Sequence, residues 1–312
     1  MMQLPLLISS LLVHAERHHG EQEVVSRRVE GDIHRTTFRE LAQRSRQHGQ
    51  RPGWPRHRRA ASASRTLAWN GYRHLELYYA VSGSGAVLHT LNPRLHPDQV
   101  VYIADHAEDQ ALFFDLTFLP LVEAIAPCAS RRSSTFVAMT DRAAHAGRRA
   151  RSRTCCATRS SSPPSNDSFV WPTFDENQRL VALLHRRARP ATRRACSTAT
   201  ARRCCTPSRS PCPTRLNCSA QGRDPAGRAD VPRQRLGPAI RGLHDGLRSW
   251  SSRAPGLDGK SLYELFENER VTLSAGVPTV VAGPARLRRR QRPASSRPCG
   301  ARSSAARPAR RR

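Results

Sequence analysis

The stretch RRARPATRRACSTATARRCCT, Arg186 to Thr206, gathers more chemically capable side chains than any other part of the chain. Arginine forks bind phosphate bidentately, and cysteine thiolates with a nearby histidine bind zinc. The metal reading fails on spacing. The nine cysteines (Cys128, Cys155, Cys156, Cys196, Cys204, Cys205, Cys212, Cys218 and Cys299) contain no C-x-x-C pair, and no histidine follows at zinc spacing. Neither a metal site nor a disulfide framework is expected. The phosphate reading lacks its usual companions, because the stretch has no lysine, no aromatic and no acid.

Charge points to a polyanion at first. The 312 residues carry a net charge of +28, which suits an Arg-rich nucleic-acid-binding protein. Two features argue for disorder and non-specific attraction instead. Aromatic residues make up only 5%, so base stacking has few platforms. Lys260 is the only lysine, and natural basic surfaces mix both cations. Arg, Ala, Pro and Gly share GC-rich codons, so the bias has its cause in the DNA. The opening MMQLPLLISSLLVHAERHH has no basic leader region and reads as an amphipathic helix, not a signal peptide. No stretch is apolar enough to span a membrane, and a cytoplasmic location is expected.

The elements that would have to position any such site alternate between two textures. Residues 1–45 are charge-balanced, and Thr37-Phe-Arg-Glu40 is a capping box that opens a helix. Residues 46–64 read as scrambled. Residues 66–126 alternate regularly: helix at His74–Val81, strand at Ala86–Leu91, helix at Pro97–Asp109, strand at Ala111–Asp115. That order predicts an α/β fold with sheets flanked by helices. Residues 127–178 are mostly scrambled, with islands FVAMTDR (136–142) and FVWPTFDENQ (169–178). Residues 179–255 are scrambled; within 179–253 lie 17 arginines and three acids. Residues 256–283 regain order: Ser261 with Glu264 forms a second capping box, Leu262, Leu265 and Phe266 share a face, and VTLSAGV reads as a strand. The tail 284–312 has 11 arginines and no acid. The arginine-rich stretches show no periodicity and are expected to be disordered.

The ordered blocks resemble the AMP-forming acyl-CoA synthetases of the medium- and long-chain fatty-acid type. TLAWNGYRHLELYYAVSGSGAVLHTLNPRL resembles their N-terminal domain, VWPTFDEN the segment before their phosphate loop, and LDGKSLYELFENERVTLSAGVPTV a later segment, all in family order. The resemblance stops at about Val281, which suggests a truncated N-terminal fragment. It implies a phosphate loop T-S-G-T-T-G-x-P-K-G and then P-M-F-H-x-x-x-W between Asn177 and Leu257. Neither is present in this text.

Both appear in a displaced reading frame. Read so that each residue supplies the last two bases of one codon and the first of the next, Arg187, Ala188, Arg189 and Pro190 permit Ser-Gly-Thr-Thr. Ala191, Thr192, Arg193, Arg194 and Ala195 then permit Gly-Asn-Pro-Lys-Gly. With the opposite displacement, RDPAGRADVPRQRLGP (Arg223 to Pro238) permits V-I-L-P-V-V-P-M-F-H-V-N-A-W-G-L. The sequence is therefore read as a frameshifted translation of a ligase gene.

The resemblance implies that a fatty-acid carboxylate attacks the α-phosphate of ATP, with Mg²⁺, and that coenzyme A then displaces AMP. Such a transition state is clamped by backbone N–H groups, hydroxyls and lysine. In this frame Arg187, Ala188, Arg189, Pro190, Ala191, Thr192, Arg193, Arg194 and Ala195 stand at that loop; proline lacks the N–H and the glycines are gone. No catalytic, cofactor-binding or metal residue is expected intact, and no specific binding of ATP, Mg²⁺ or coenzyme A. Asn70, Gly71, Asn92, Pro93 and Gly276–Pro278 are family landmarks expected to serve packing.

Overall fold

The computed structural model describes residues 5–50, 63–92, 95–107, 109–128, 135–141, 155–157, 169–175, 179–183, 196–199, 223–225, 248–251 and 259–270. Helix α1 (Ile8–His19) opens it, amphipathic as expected, with Ile8, Leu11, Leu12 and Ala15 buried. Strands β1 (Glu23–Arg27) and β2 (Ile33–Thr37) pair antiparallel. The capping box forms as read. The Glu40 N–H donates to Thr37 Oγ1 at 3.2 Å, and the Thr37 N–H donates to Glu40 Oε2 at 3.3 Å. Helix α2 (Phe38–Gln50) follows at once and buries Phe38, Leu41 and Ala42.

A parallel sheet is then built by strand–helix alternation: β3 (Ala63–Leu67), α3 (Tyr72–Gly83), β4 (Val87–Thr90), α4 (Pro97–His106), β5 (Ala111–Phe114), α5 (Leu119–Ile125) and β6 (Thr135–Ala138). Strands β7 (Cys155–Ala157), β8 (Arg179–Leu183) and β9 (Cys196–Ala199) complete it. The seven-stranded order is β7-β6-β5-β3-β4-β8-β9, with only β8–β9 antiparallel. Strands β10 (Arg223–Pro225) and β11 (Arg248–Ser251) join the second sheet, ordered β10-β11-β1-β2. Helix α6 (Gly259–Asn268) is the last element among the described residues.

Side chains in a strand alternate between faces, and this divides the core. Phe113 and Leu88 pack with Ile8, Leu12, Phe38, Leu41, Tyr78 and Tyr79 under α1–α3. Leu112 and Phe114 pack on the other face with Val100, Ile103, Val122 and Ile125 of α4 and α5. The α3 exit needs a left-handed residue. Gly85 has φ 78°, and the Ala86 N–H donates to the Val81 carbonyl at 3.1 Å, closing the helix end as glycine caps do.

The structure revises several expectations. Helix α4 ends at His106, three residues before Asp109, whose carboxylate instead accepts from His89 Nδ1 at 2.8 Å. Helix α6 begins at Gly259, so Ser261 lies inside it and cannot be its cap. Strands β7–β11 fall in stretches from which no ordered element was expected. Their assignment rests on main-chain pairing, and backbone N–H and C=O groups pair whatever side chains they carry. The predicted strand 271–277 lies outside the described residues.

Candidate functional site

The sheet reverses direction around β3. The chain crosses from β3 to β4 on one side and returns to β5 on the other. In open α/β sheets ligands bind outside the carboxyl ends of the strands at such a switch point. Here that position holds a cleft lined by Trp69, Asn70, Gly71, Tyr72, Arg73 and Asp115, closed on one side by Ser26 and Arg27 of β1 and by Arg28 and Val29 just after it. The landmarks Asn70 and Gly71 therefore line a cleft, whereas Asn92 follows β4 and its carbonyl accepts from the Leu95 N–H at 3.3 Å. Pro93 and 276–278 lie outside the described residues.

Local hydrogen bonds fix the cleft walls. The Trp69 N–H donates to Asp115 Oδ2 at 2.7 Å, and the Tyr72 N–H donates to Ser26 Oγ at 3.1 Å. The Tyr72 ring stacks on His34 at 4.0 Å. Arg73 is buried and donates through Nη1 to Glu30 at 3.0 Å and to the Met139 carbonyl at 3.1 Å. Burial opposes its charge, but Tyr72, Glu30 and Asp141 outweigh that and hold its pKa above the usual value. Arg28 bonds Asp32 and also Asp141, the latter at 2.7 Å. The hydrogen bond to Asp32 raises the Arg28 pKa and lowers that of Asp32. Both arginines are thus matched by carboxylates. Burial pushes His74 down to about 4, so it is neutral at pH 7. Its Nε2 lies 3.4 Å from Thr66 Oγ1.

Strand β8 runs parallel to β4, with Leu88 opposite Val181 and His89 opposite Ala182. It turns back antiparallel into β9, and the innermost pair is Leu183–Cys196. The connection between the two strands, 184–195, lies outside the described residues. Arg187, Ala188, Arg189, Pro190, Ala191, Thr192, Arg193, Arg194 and Ala195 all fall within that connection and lie outside the described residues. Their donor set does not fit a nucleotide triphosphate. It offers one hydroxyl, no glycine and no lysine, and Pro190 has no N–H.

The segment leading to β8 is anchored in a way that the sequence did not announce. Trp171 and Phe174 pack against the α1–α3 core, and Phe169 meets Trp171 edge-on at 5.0 Å. A Cβ on Gly83 would sit 2.6 Å from the Trp171 ring, so glycine is required there. The aromatic triplet in FVWPTFDENQ was the available signal. Helix α6 is tied down by Arg35, whose Nη2 donates to the buried Glu269 at 2.5 Å. No group of three or more His, Cys, Asp or Glu side chains among the described residues is placed to hold a metal. No described helix is long and apolar enough to cross a membrane.

Known proteins match this architecture. The family described as AMP-binding enzyme matches residues 12–171. A 3-methylmercaptopropionyl-CoA ligase from Ruegeria pomeroyi is 54% identical over 130 residues, 41% of this chain and 23% of the relative. A medium-chain-fatty-acid–CoA ligase from Ectopseudomonas oleovorans is 31% identical over 300 residues, 91% of this chain and 51% of the relative. The chain thus spans about half or less of the relatives' length. A Brucella canis acyl-CoA synthetase structure shares the fold with TM-score 0.69 at 11% identity, over 89% of this chain and 49% of that one. A Mycobacterium tuberculosis fatty acyl CoA synthetase does so with TM-score 0.65 at 13% identity, over 89% and 50%. The nucleic-acid-binding alternative finds no support among these matches.

Proposed function

Because the chain belongs to the AMP-binding enzyme family, we propose that its gene encodes an AMP-forming acyl-CoA ligase acting on a fatty acid. Such an enzyme uses ATP, Mg²⁺ and coenzyme A, in the cytoplasm. The chain in its present frame keeps the scaffold of that site, lacks the loop that clamps the phosphates, and spans about half or less of the relatives' length, so their C-terminal part is not in it. One observation carries the reading. The connection enclosed by the Leu183–Cys196 pair is the stretch whose displaced frame permits Ser-Gly-Thr-Thr-Gly-Asn-Pro-Lys-Gly.

The chemical contrast between the two texts is large. A glycine-rich loop lets main-chain N–H groups approach phosphate oxygens, and a lysine neutralises charge as it develops. Four arginines around a proline attract polyphosphate without fixing it in line for attack. The present chain is therefore inactive as a ligase, and its polyanion binding is salt-sensitive and sequence-blind.

The test is to express the locus at the length of the relatives it matches, with its displaced stretches corrected, 186–206 and 223–238 among them, beside the present chain. Fatty-acid-dependent pyrophosphate release and acyl-CoA formation are expected from the corrected protein alone. Equal turnover by both would refute the assignment of the loop. No turnover by a folded, ATP-binding corrected protein would refute the ligase reading.

A further inference from the structure

We infer that the reading frame is displaced a third time, just ahead of Thr66, and that Ser64 and Arg65 stand where the gene encodes apolar or small residues. The inference rests on the displaced-frame reading of the loop, but on a separate stretch of sequence.

Strand β3 lies in the middle of the seven-stranded sheet, between β4 and β5. Strands covered on both faces read as near-continuous apolar runs. The neighbour β5 does: it is Ala-Leu-Phe-Phe, buried throughout. Strand β3 has Ser64, Arg65 and Thr66 instead, each no more than 1% exposed. Arg65 lies opposite His89 on one side and Leu112 on the other. Its Nε reaches no acceptor, and neither does the Ser64 hydroxyl. Burial outweighs the attraction of Asp109 and Asp105 and lowers the Arg65 pKa, while Asp109 is already bonded to His89. A charge held in a core without a matched partner is strongly unfavourable. In contrast, the buried Arg73 has Glu30, Asp141 and a carbonyl around it.

The codons supply the second, independent argument. Displace the frame as in the loop, so that each residue gives the last two bases of its codon. A TCN serine at 64 then yields NTC, which encodes Phe, Leu, Ile or Val whatever the first base. A CGN arginine at 65 yields NCG, which encodes Ser, Pro, Thr or Ala. Every outcome is uncharged, and the residue at 64 is always apolar. The frame returns at Thr66, where the well-formed text TLAWNGYRHLELYYA begins, leaving the third base of codon 65 surplus. Position 65 is thus a junction, and the buried guanidinium is its physical trace. Correcting only 186–206 and 223–238 would leave this charge in the central strand, so a fully stable enzyme needs the third correction too.

Two measurements test this. In the full chain, Arg65→Ala is expected to raise the melting temperature of the tyrosine-rich core by about 5 °C, while Arg65→Lys gives no rise. A lower melting temperature for Arg65→Ala would overturn the inference, because Arg65 would then be a native stabilising residue. The locus is expected to read TCN at codon 64 and CGN at codon 65. An AGY serine or AGR arginine there would overturn it as well, without touching the reading of codons 187–195.

Discussion

Strands β4–β6 and strands β8–β11 are defined by the same main-chain pairing, yet they relate to their sequences in opposite ways. In β5, Leu112 and Phe114 face one core and Phe113 the other, and each neighbouring helix supplies the matching apolar stripe. Strands β8 to β11 read RLVAL, CSTA, RDP and RSWS, set in arginine-rich text. The contrast separates two sources of order. Backbone hydrogen bonding needs only an extended segment beside a partner. Packing needs the right side chain on the right face, and a displaced frame destroys that while leaving length and order along the chain intact.

Four experiments would break or sharpen this comparison. The largest effect concerns the loop between β8 and β9. In the otherwise corrected protein at its relatives' length, correcting this loop's frame is expected to raise fatty-acid-dependent pyrophosphate release by on the order of 10³-fold or more, since single oxyanion donors alone contribute about 10² to 10³. A gain below tenfold in a folded protein would break the comparison.

The next effect lies in the well-packed region. His74 titrates near 4 when folded and near 6.5 when unfolded. The unfolded chain therefore takes up its proton first, and stability drains as pH falls from 6.5 to 4. The loss is at most about 3 kcal/mol, read from denaturant midpoints across that range. In His74→Leu this slope should disappear.

Gly83→Ala is expected to destabilise by about 2 kcal/mol, because its Cβ would meet the Trp171 ring at 2.6 Å. Pairing it with Trp171→Leu should recover part of that loss in a double-mutant cycle. The smallest effect is at the start of α2. Thr37→Ala removes the capping box and should lower stability by about 1 kcal/mol, read from the denaturant midpoint. No loss would show that local capping does not support the packed region.

Much of the packed region could be read in advance. The capping box at Thr37 and Glu40, the proline that opens α4 at Pro97, and the strand–helix alternation after Thr66 are local signals, and each formed. The end of α4 was misjudged because Asp109 serves a long-range partner, His89, that no local pattern reveals. Ser261 with Glu264 had the spacing of a cap, yet α6 starts two residues earlier. The anchoring of Trp171 on Gly83 and the network of Arg28, Glu30, Arg73 and Asp141 join segments far apart in sequence. Strands β8–β11 were illegible for a different reason: on the displaced-frame reading proposed above, their side chains are not those that the fold was selected with.

The nucleotide sequence across codons 186–206 tests the central claim most directly, because it replaces permitted codons with actual ones. The account predicts that the displaced frame spells Ser-Gly-Thr-Thr-Gly-Asn-Pro-Lys-Gly. The lysine is the most demanding position: it requires Arg193 to end in A and Arg194 to begin with AG. A CGN codon at Arg194 would put Ser, Pro, Thr or Ala where the loop needs its lysine and contradict the account.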